Sequence, residues 1–237
     1  DFDDTNVAAL RNVIDVCRAS GMPRLVYTSS FLALPSSDGT SSLAANDYQR
    51  TKAAAHEIAR RAAESGTPIV SIVPGVVYGP GEVTEGNLVG RLVRDHLQRR
   101  LPGIVGADRS WSFAYIDDVA AAHVAALTRS SVDREYVVGG ENAPQRRVFE
   151  LLRRLEGTPL PRRIPYGVAT AAAIVEEARA RLTGKPPRLT RGVVEIFRHD
   201  WALDGRPAAA ALGYPITPLE TGFRATLEDL AGKRGIS

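Results

Sequence analysis

The chain has 237 residues, 44% hydrophobic and 24% charged, which is enough to bury a full core and excludes disordered and fibrous classes. Its 30 basic and 27 acidic residues leave a formal charge of +3, with arginines interleaved among Asp and Glu and only 6% aromatics. A nucleic-acid partner would need one continuous basic stripe, so none is expected. The longest apolar runs, 119–127 and 168–175, fall far short of the roughly 18 to 20 residues of a membrane span, and no charged-then-apolar leader opens the chain. Cys17 cannot form an internal disulfide, and His56, His96, His123 and His199 show no ligand spacing. The expectation is a cytoplasmic, reducing location with no structural metal.

In chain order, residues 6–19 place Val7, Leu10, Val13, Ile14 and Cys17 at helical spacing, with Gly21 where a C-terminal cap belongs. Residues 24–28 form a short β-branched and aromatic run suited to a strand buried on both faces. After a Ser/Gly-rich loop, Asn46 is placed to cap an Ala-rich helix through about Glu64, ended by Ser65 and Gly66. Residues 68–73 repeat the buried-strand pattern. A helix over 87–99, a short run at 112–116, a helix over 117–127 and a strand over 135–138 follow. Strands separated by helices predict an α/β fold, a doubly wound parallel sheet, with ligand chemistry at the strand carboxyl ends, Ser29-Ser30 and 74–78. Beyond Gly139-Gly140 the Pro-broken helices read as a smaller helical lobe. The predicted division is 1–80 and 112–140 for the Rossmann-like domain, and 81–111 with 141–237 for the substrate lobe.

Tyr48 and Lys52 lie four apart on the second helix, so they share one face. A phenol ordinarily titrates near 10, and an adjacent ammonium favours its ionised form, so Lys52 is expected to tune Tyr48 as an acid/base. With seven tyrosines and three lysines, a chance Tyr-x-x-x-Lys is expected about 0.09 times. Ser30, just past a buried strand, can sit beside the phenol and bond a substrate oxygen, although serines also close strands for purely local reasons. Asp117 and Asp118 precede a helix and read as caps favoured by its dipole.

Four segments in order carry a resemblance: Val26-Tyr27-Thr28-Ser29-Ser30, Tyr48-Gln49-Arg50-Thr51-Lys52, Pro74-Gly75-Val76-Val77-Tyr78-Gly79-Pro80-Gly81 and Phe113-Ala114-Tyr115-Ile116-Asp117-Asp118-Val119-Ala120. They resemble the extended short-chain dehydrogenase/reductases, the NAD-dependent epimerase/dehydratase group. Residues 136–142 and Leu212-Gly213-Tyr214 look most like its dihydroflavonol-reductase-like branch, which includes hopanoid-associated sugar epimerases. The resemblance implies Ser30, Tyr48 and Lys52 as the catalytic set, with Lys52 also on the nicotinamide ribose. It further implies Asn6, Thr28, Pro74, Val76 and Val77 on the cofactor side, and Phe31, Tyr78 and Asn87 beside the substrate. Asn6 could equally be a helix cap, and the 74–81 segment an ordinary Gly/Pro turn. Trp111 and Arg109 are expected on a loop that closes over the pocket.

One feature of that family is missing. No glycine-rich turn for a pyrophosphate occurs; Gly79, Gly81 and Gly86 lack the spacing and follow the wrong strand. Asp1 corresponds to a point after the family's fourth strand, so the sequence reads as part of a longer polypeptide, or as one whose upstream half is separate. Expressed from Asp1 alone, it is expected to aggregate and to bind no dinucleotide. The residue that would select NAD or NADP falls in the absent region, and either cofactor is allowed. The leading functional reading is an NAD(P)-dependent oxidoreductase acting on a ketone, aldehyde or secondary alcohol. The alternatives are a nucleotide-sugar epimerase/dehydratase and a non-catalytic dinucleotide-binding scaffold. A small-molecule substrate and a possible homodimer are the partners expected.

Overall fold

The computed structural model describes residues 2–22, 24–84 and 87–234; Asp1 and Gly86 lie outside them. The first helix begins as a π turn, Asp3–Ala8, and continues as α1, Ala9–Ala19, burying Leu10, Ile14 and Cys17. Gly21 then takes a left-handed φ of +60°, a conformation other residues adopt only under strain. Asn46 caps α2, Asp47–Glu64, its Oδ1 accepting from the Gln49 N–H at 2.8 Å, as its position in the sequence predicts.

The strands β1 (Leu25–Thr28), β2 (Ile69–Pro74) and β5 (Glu135–Val138) form a parallel sheet in the order β1-β2-β5. Every residue of β2 is buried. Leu10 and Ile14 of α1 pack with Ala55, Ala59, Ala62 and Ala63 of α2 against one face. The other face meets α4 (Ile116–Thr128) and α8 (Arg206–Leu212) through Ile72, Ala122, Ala126, Val138 and Leu212. This is the three-layer, doubly wound arrangement that the buried-strand pattern implies. β1 pairs with β2 alone among the described residues, leaving its other edge open.

A second sheet departs from the sequence reading. Its strands are β3 (Val76–Tyr78), β4 (Ser110–Tyr115) and β6 (Glu141–Pro144), with β3 parallel and β6 antiparallel to β4. Residues 141–144 were expected to open a helical lobe, because Glu, Asn, Ala and Pro are poor strand formers. Long-range partners override that propensity. The Glu141 carboxylate accepts from the Leu219 N–H at 2.8 Å, and the Asn142 side chain bonds Leu203 on both its N–H and its carbonyl. Gly140 lies so near the Phe113 carbonyl that a Cβ would come within 1.7 Å of it. Helices α3 (Leu88–Leu97), α5 (Arg146–Glu156) and α9 (Leu219–Arg234) close around this sheet through Val93, Phe113, Phe149, Leu152 and Phe223. The remaining helices are α6 (Tyr166–Thr183) and α7 (Arg191–Ile196). Among the described residues no helix is long and apolar enough to cross a membrane.

Asp118 is structural, though not as the cap expected. It is buried in the first turn of α4, where its Oδ2 accepts from the Thr217 N–H at 2.7 Å and its Oδ1 from the Thr217 hydroxyl at 2.8 Å. Asp118→Ala should therefore destabilise the fold by about 2 to 4 kcal/mol, measured as a lowered urea midpoint, with Asp118→Asn intermediate. Burial pushes the phenols of Tyr27 and Tyr214 up to about 12 and raises that of Tyr78. A raised folded pKa gives stability that is complete below the unfolded value near 10 and is lost as pH rises through the folded one. The denaturant midpoint should accordingly fall between about pH 10 and 12, in step with tyrosinate absorbance.

Candidate active site

β1 ends where the Ser29 N–H donates to the Ile72 carbonyl at 2.8 Å. Ser30 then stays extended and caps the short 3-10 turn Phe31–Ala33, its Oγ accepting from the Leu32 N–H at 3.2 Å. That bond leaves the hydroxyl hydrogen free to donate elsewhere. Tyr48 stands in the first turn of α2 and Lys52 one turn later, with Nζ 5.9 Å from the centre of the Tyr48 ring. Burial raises the Tyr48 phenol above its ordinary value, while a hydrogen bond with Ser30 pulls it the other way. Burial also pushes the Lys52 ammonium down. The three residues thus converge as the sequence predicts.

The residues expected on the cofactor side fall into two groups. Asn6, in the π turn, donates from Nδ2 to the Thr51 hydroxyl at 3.0 Å, and Thr51 donates to the Asp47 carbonyl at 2.8 Å. This chain ties the π turn to the start of α2. Asn6, Thr28 and Lys52 line one cavity of about 270 Å³ between α1 and the open edge of β1. The Thr28 hydroxyl lies 2.8 Å from His123 Nε2, and His123 Nδ1 lies 2.8 Å from the Val119 carbonyl. A carbonyl can only accept, so Nδ1 carries the hydrogen and Nε2 accepts from Thr28. Pro74, Val76 and Val77 form the second group, at the break between β2 and β3. The β1/β2 pairing runs to Thr28 and Ile72, two residues before Ser30 and Pro74, and at Gly75 a Cβ would meet the Ser112 carbonyl at 2.5 Å.

The expected substrate residues are more dispersed. Phe31, next to Ser30, stacks edge-on against Trp201 at 5.5 Å and tilts against Trp111 at 6.1 Å. Tyr78 is 1% exposed, in the core beneath α9, with its hydroxyl donating to the Leu219 carbonyl at 3.4 Å. Asn87 caps α3, its Oδ1 accepting from the Gly90 N–H at 2.8 Å. Trp111 and Arg109 need correction: Trp111 is a buried residue of β4, not part of a closing loop, because the strand starts at Ser110. Arg109 is held against Asp200 at 3.3 Å.

Two features escaped the sequence reading. Trp201 bridges to Trp111, its N–H donating to the Ser110 carbonyl at 2.7 Å, which completes the aromatic wall behind Phe31. Ser29 hydrogen-bonds His56 across the first sheet, and His56 Nε2 lies 3.2 Å from the Glu135 carboxylate, so the three side chains form a series. The only sequence trace of that series is the spacing of 48, 52 and 56 along one helical face. Among the described residues no group of three or more His, Cys, Asp or Glu is placed to hold a metal.

The donor set fits the nicotinamide-ribose end of a dinucleotide. The Lys52 ammonium lines the same cavity as Asn6 and Thr28, and these donors and acceptors suit a ribose diol.

The description of the NAD dependent epimerase/dehydratase family matches residues 1–139. The chain is 29% identical over 245 residues to the 2-alkyl-3-oxoalkanoate reductase of Stenotrophomonas maltophilia, covering 94% of this chain and 73% of that protein. It is 28% identical over 238 residues to sterol demethylase protein B of Methylococcus capsulatus, covering 93% and 70%. Its fold matches the UDP-glucuronic acid 4-epimerase of Bacillus cereus, crystallised with UDP-glucuronic acid and NAD, at a TM-score of 0.70 and 19% identity over 96% of this chain and 68% of that one. The chain spans between 44% and 73% of the length of curated relatives such as these. With the matched segment holding the buried parallel sheet, the Ser30, Tyr48 and Lys52 cluster and the cavity beside it, the chain belongs to the NAD dependent epimerase/dehydratase family.

Proposed function

We propose that this chain carries the proton-transfer centre of an NAD(P)-dependent oxidoreductase that interconverts a ketone or aldehyde and an alcohol. The observation that carries the reading is the convergence of Ser30, Tyr48 and Lys52 at the carboxyl end of β1. Lys52, Asn6, Thr28 and the backbone of residues 74–77 would hold the nicotinamide end of the cofactor. When bound, that group supplies or accepts the hydride at the substrate carbon. Ser30 donates to the substrate oxygen and fixes its position. Tyr48 gives its proton to that oxygen in reduction and removes it in oxidation. Lys52, beside the ring, favours the phenolate that results.

The surroundings favour an apolar carbonyl compound over a nucleotide sugar. Phe31 with Trp111 and Trp201 supplies an aromatic wall next to Ser30. A nucleoside diphosphate needs free cations, whereas Arg109, the cation expected near the cleft, is paired with Asp200. Similarity to a protein named as an oxoalkanoate reductase points the same way. A non-catalytic scaffold would have no use for the three convergent groups.

In the complete polypeptide, assayed with NAD(P)H and a ketone panel, Tyr48→Phe should lower turnover by about 10² to 10⁴ and leave cofactor affinity nearly unchanged. Lys52→Ala should damage both. Near-normal turnover in Tyr48→Phe would remove the phenol from the mechanism. Thermal-shift screening in the presence of cofactor tests the substrate class: apolar ketones should stabilise the protein and nucleoside diphosphates should not. The reverse pattern would favour epimerisation of a nucleotide sugar.

A further inference from the structure

Ser29 and His56 are polar residues only 4% and 9% exposed. Ser29 Oγ lies 3.0 Å from His56 Nδ1, and His56 Nε2 lies 3.2 Å from Glu135 Oε2. The three belong to different elements: Ser29 directly precedes Ser30 at the end of β1, His56 is two turns beyond Tyr48 on α2, and Glu135 opens β5. The strand register places Tyr27, Ser71 and Glu135 in one row, so the series crosses the full width of the sheet under α2. The Glu135 carboxylate beside Nε2 favours the imidazole hydrogen on that nitrogen, which leaves Nδ1 to accept from the Ser29 hydroxyl. The order of groups is that of a hydrolytic triad, but Ser29 is sealed in the interior and lines none of the cavities described above, so a nucleophilic role does not follow.

We propose that Ser29, His56 and Glu135 are positioning residues that lock the end of β1 against α2 and so hold the Ser30 hydroxyl beside the Tyr48 phenol. This deepens the proton-transfer reading of Ser30 and Tyr48 and rests on it. The rest of the contact between α2 and the sheet is made largely by Ala55, Ala59, Ala62 and Ala63. Alanine packing permits close approach but has no directional preference, and it sets no register along the helix axis. Hydrogen bonds weaken steeply with angle and distance, so the Ser29–His56 bond, with Glu135 beside the imidazole, supplies the register that the alanines do not. A misplacement of about 1 Å at a reacting pair can cost two orders of magnitude in rate.

The test reads the acidity of Tyr48 directly, in the full chain labelled with 13C at tyrosine Cζ, the signal being assigned by its loss in Tyr48→Phe. The titratable groups facing the phenol are Lys52 from its own helix and Tyr27 from β1; those facing His56 are Ser29 and Glu135. Ser30→Ala should push the phenol further up by removing the bond that lowers it. Ser29→Ala and His56→Leu should move it the same way, and neither should add to the effect of Ser30→Ala, because all three act through one hydroxyl. His56→Gln, which keeps a donor and an acceptor, should restore most of the parent value. In the active protein, Ser29→Ala should lower kcat by about tenfold with the KM for cofactor unchanged. Since Ser29→Ala removes a single oxygen, it carries the test if His56→Leu does not fold. Ser29→Ala and His56→Leu matching the parent protein in Tyr48 acidity and kcat, while Tyr48→Phe is inactive, overturns the positioning role alone. Full turnover in Tyr48→Phe overturns the reading beneath it as well.

Discussion

The close seating of α2 across β1 and β2 is the constraint on which the candidate site depends. Ala55 and Ala59 are fully buried between helix and sheet, and their small side chains let the two backbones approach as larger ones would not. That approach brings Tyr48 and Lys52, at the start of the helix, over the ends of the strands. The Asn46 cap fixes where the helix begins, and so fixes which turn carries Tyr48. A cap one residue earlier or later would rotate the phenol away from Ser30 by about 100°.

The second level of organisation is the break at Gly75. β2 runs fully buried through the first sheet, and a single glycine later the chain enters the second sheet as β3. The two sheets then meet at that glycine. Polar ties far apart in sequence hold this junction: Asp118 to Thr217, Glu141 to Leu219, and the Trp201 backbone to Ser110. Each joins the C-terminal segment to the helix or strands that follow the break, so the aromatic wall behind Phe31 combines Trp111 of β4 with Trp201 from the far end of the chain.

The elements legible in the sequence are those specified by local chemistry. Asn46 with its following Ala-rich periodicity, the unbroken apolar runs of β1 and β2, and the four-residue spacing of Tyr48 and Lys52 each act within one or two turns. Where local preference and tertiary pairing disagree, reading along the chain fails. Residues 141–144 have no strand character of their own and pair only because Gly140 lets them approach Phe113. Trp111 looked like part of a loop because its strand partner, Ala143, and its bridge partner, Trp201, both lie far along the chain. The Ser29, His56 and Glu135 series draws one residue from each of three elements, and no periodicity within any single one encodes it.

The π turn at Asp3–Ala8 has a consequence for the phase of the first helix. An α-helix advances 100° per residue, so Asn6 and the apolar set Leu10, Ile14 and Cys17 would have fixed relative azimuths on an unbroken cylinder. The wider turn shifts that angle without disturbing either partner. Asn6 can therefore meet Thr51 at the mouth of the site while the residues downstream stay seated on the sheet. Deleting one residue from this turn would restore regular α geometry and keep the apolar stripe in place. It would also swing the amide out of reach of α2, separating two requirements that the wild-type helix meets together.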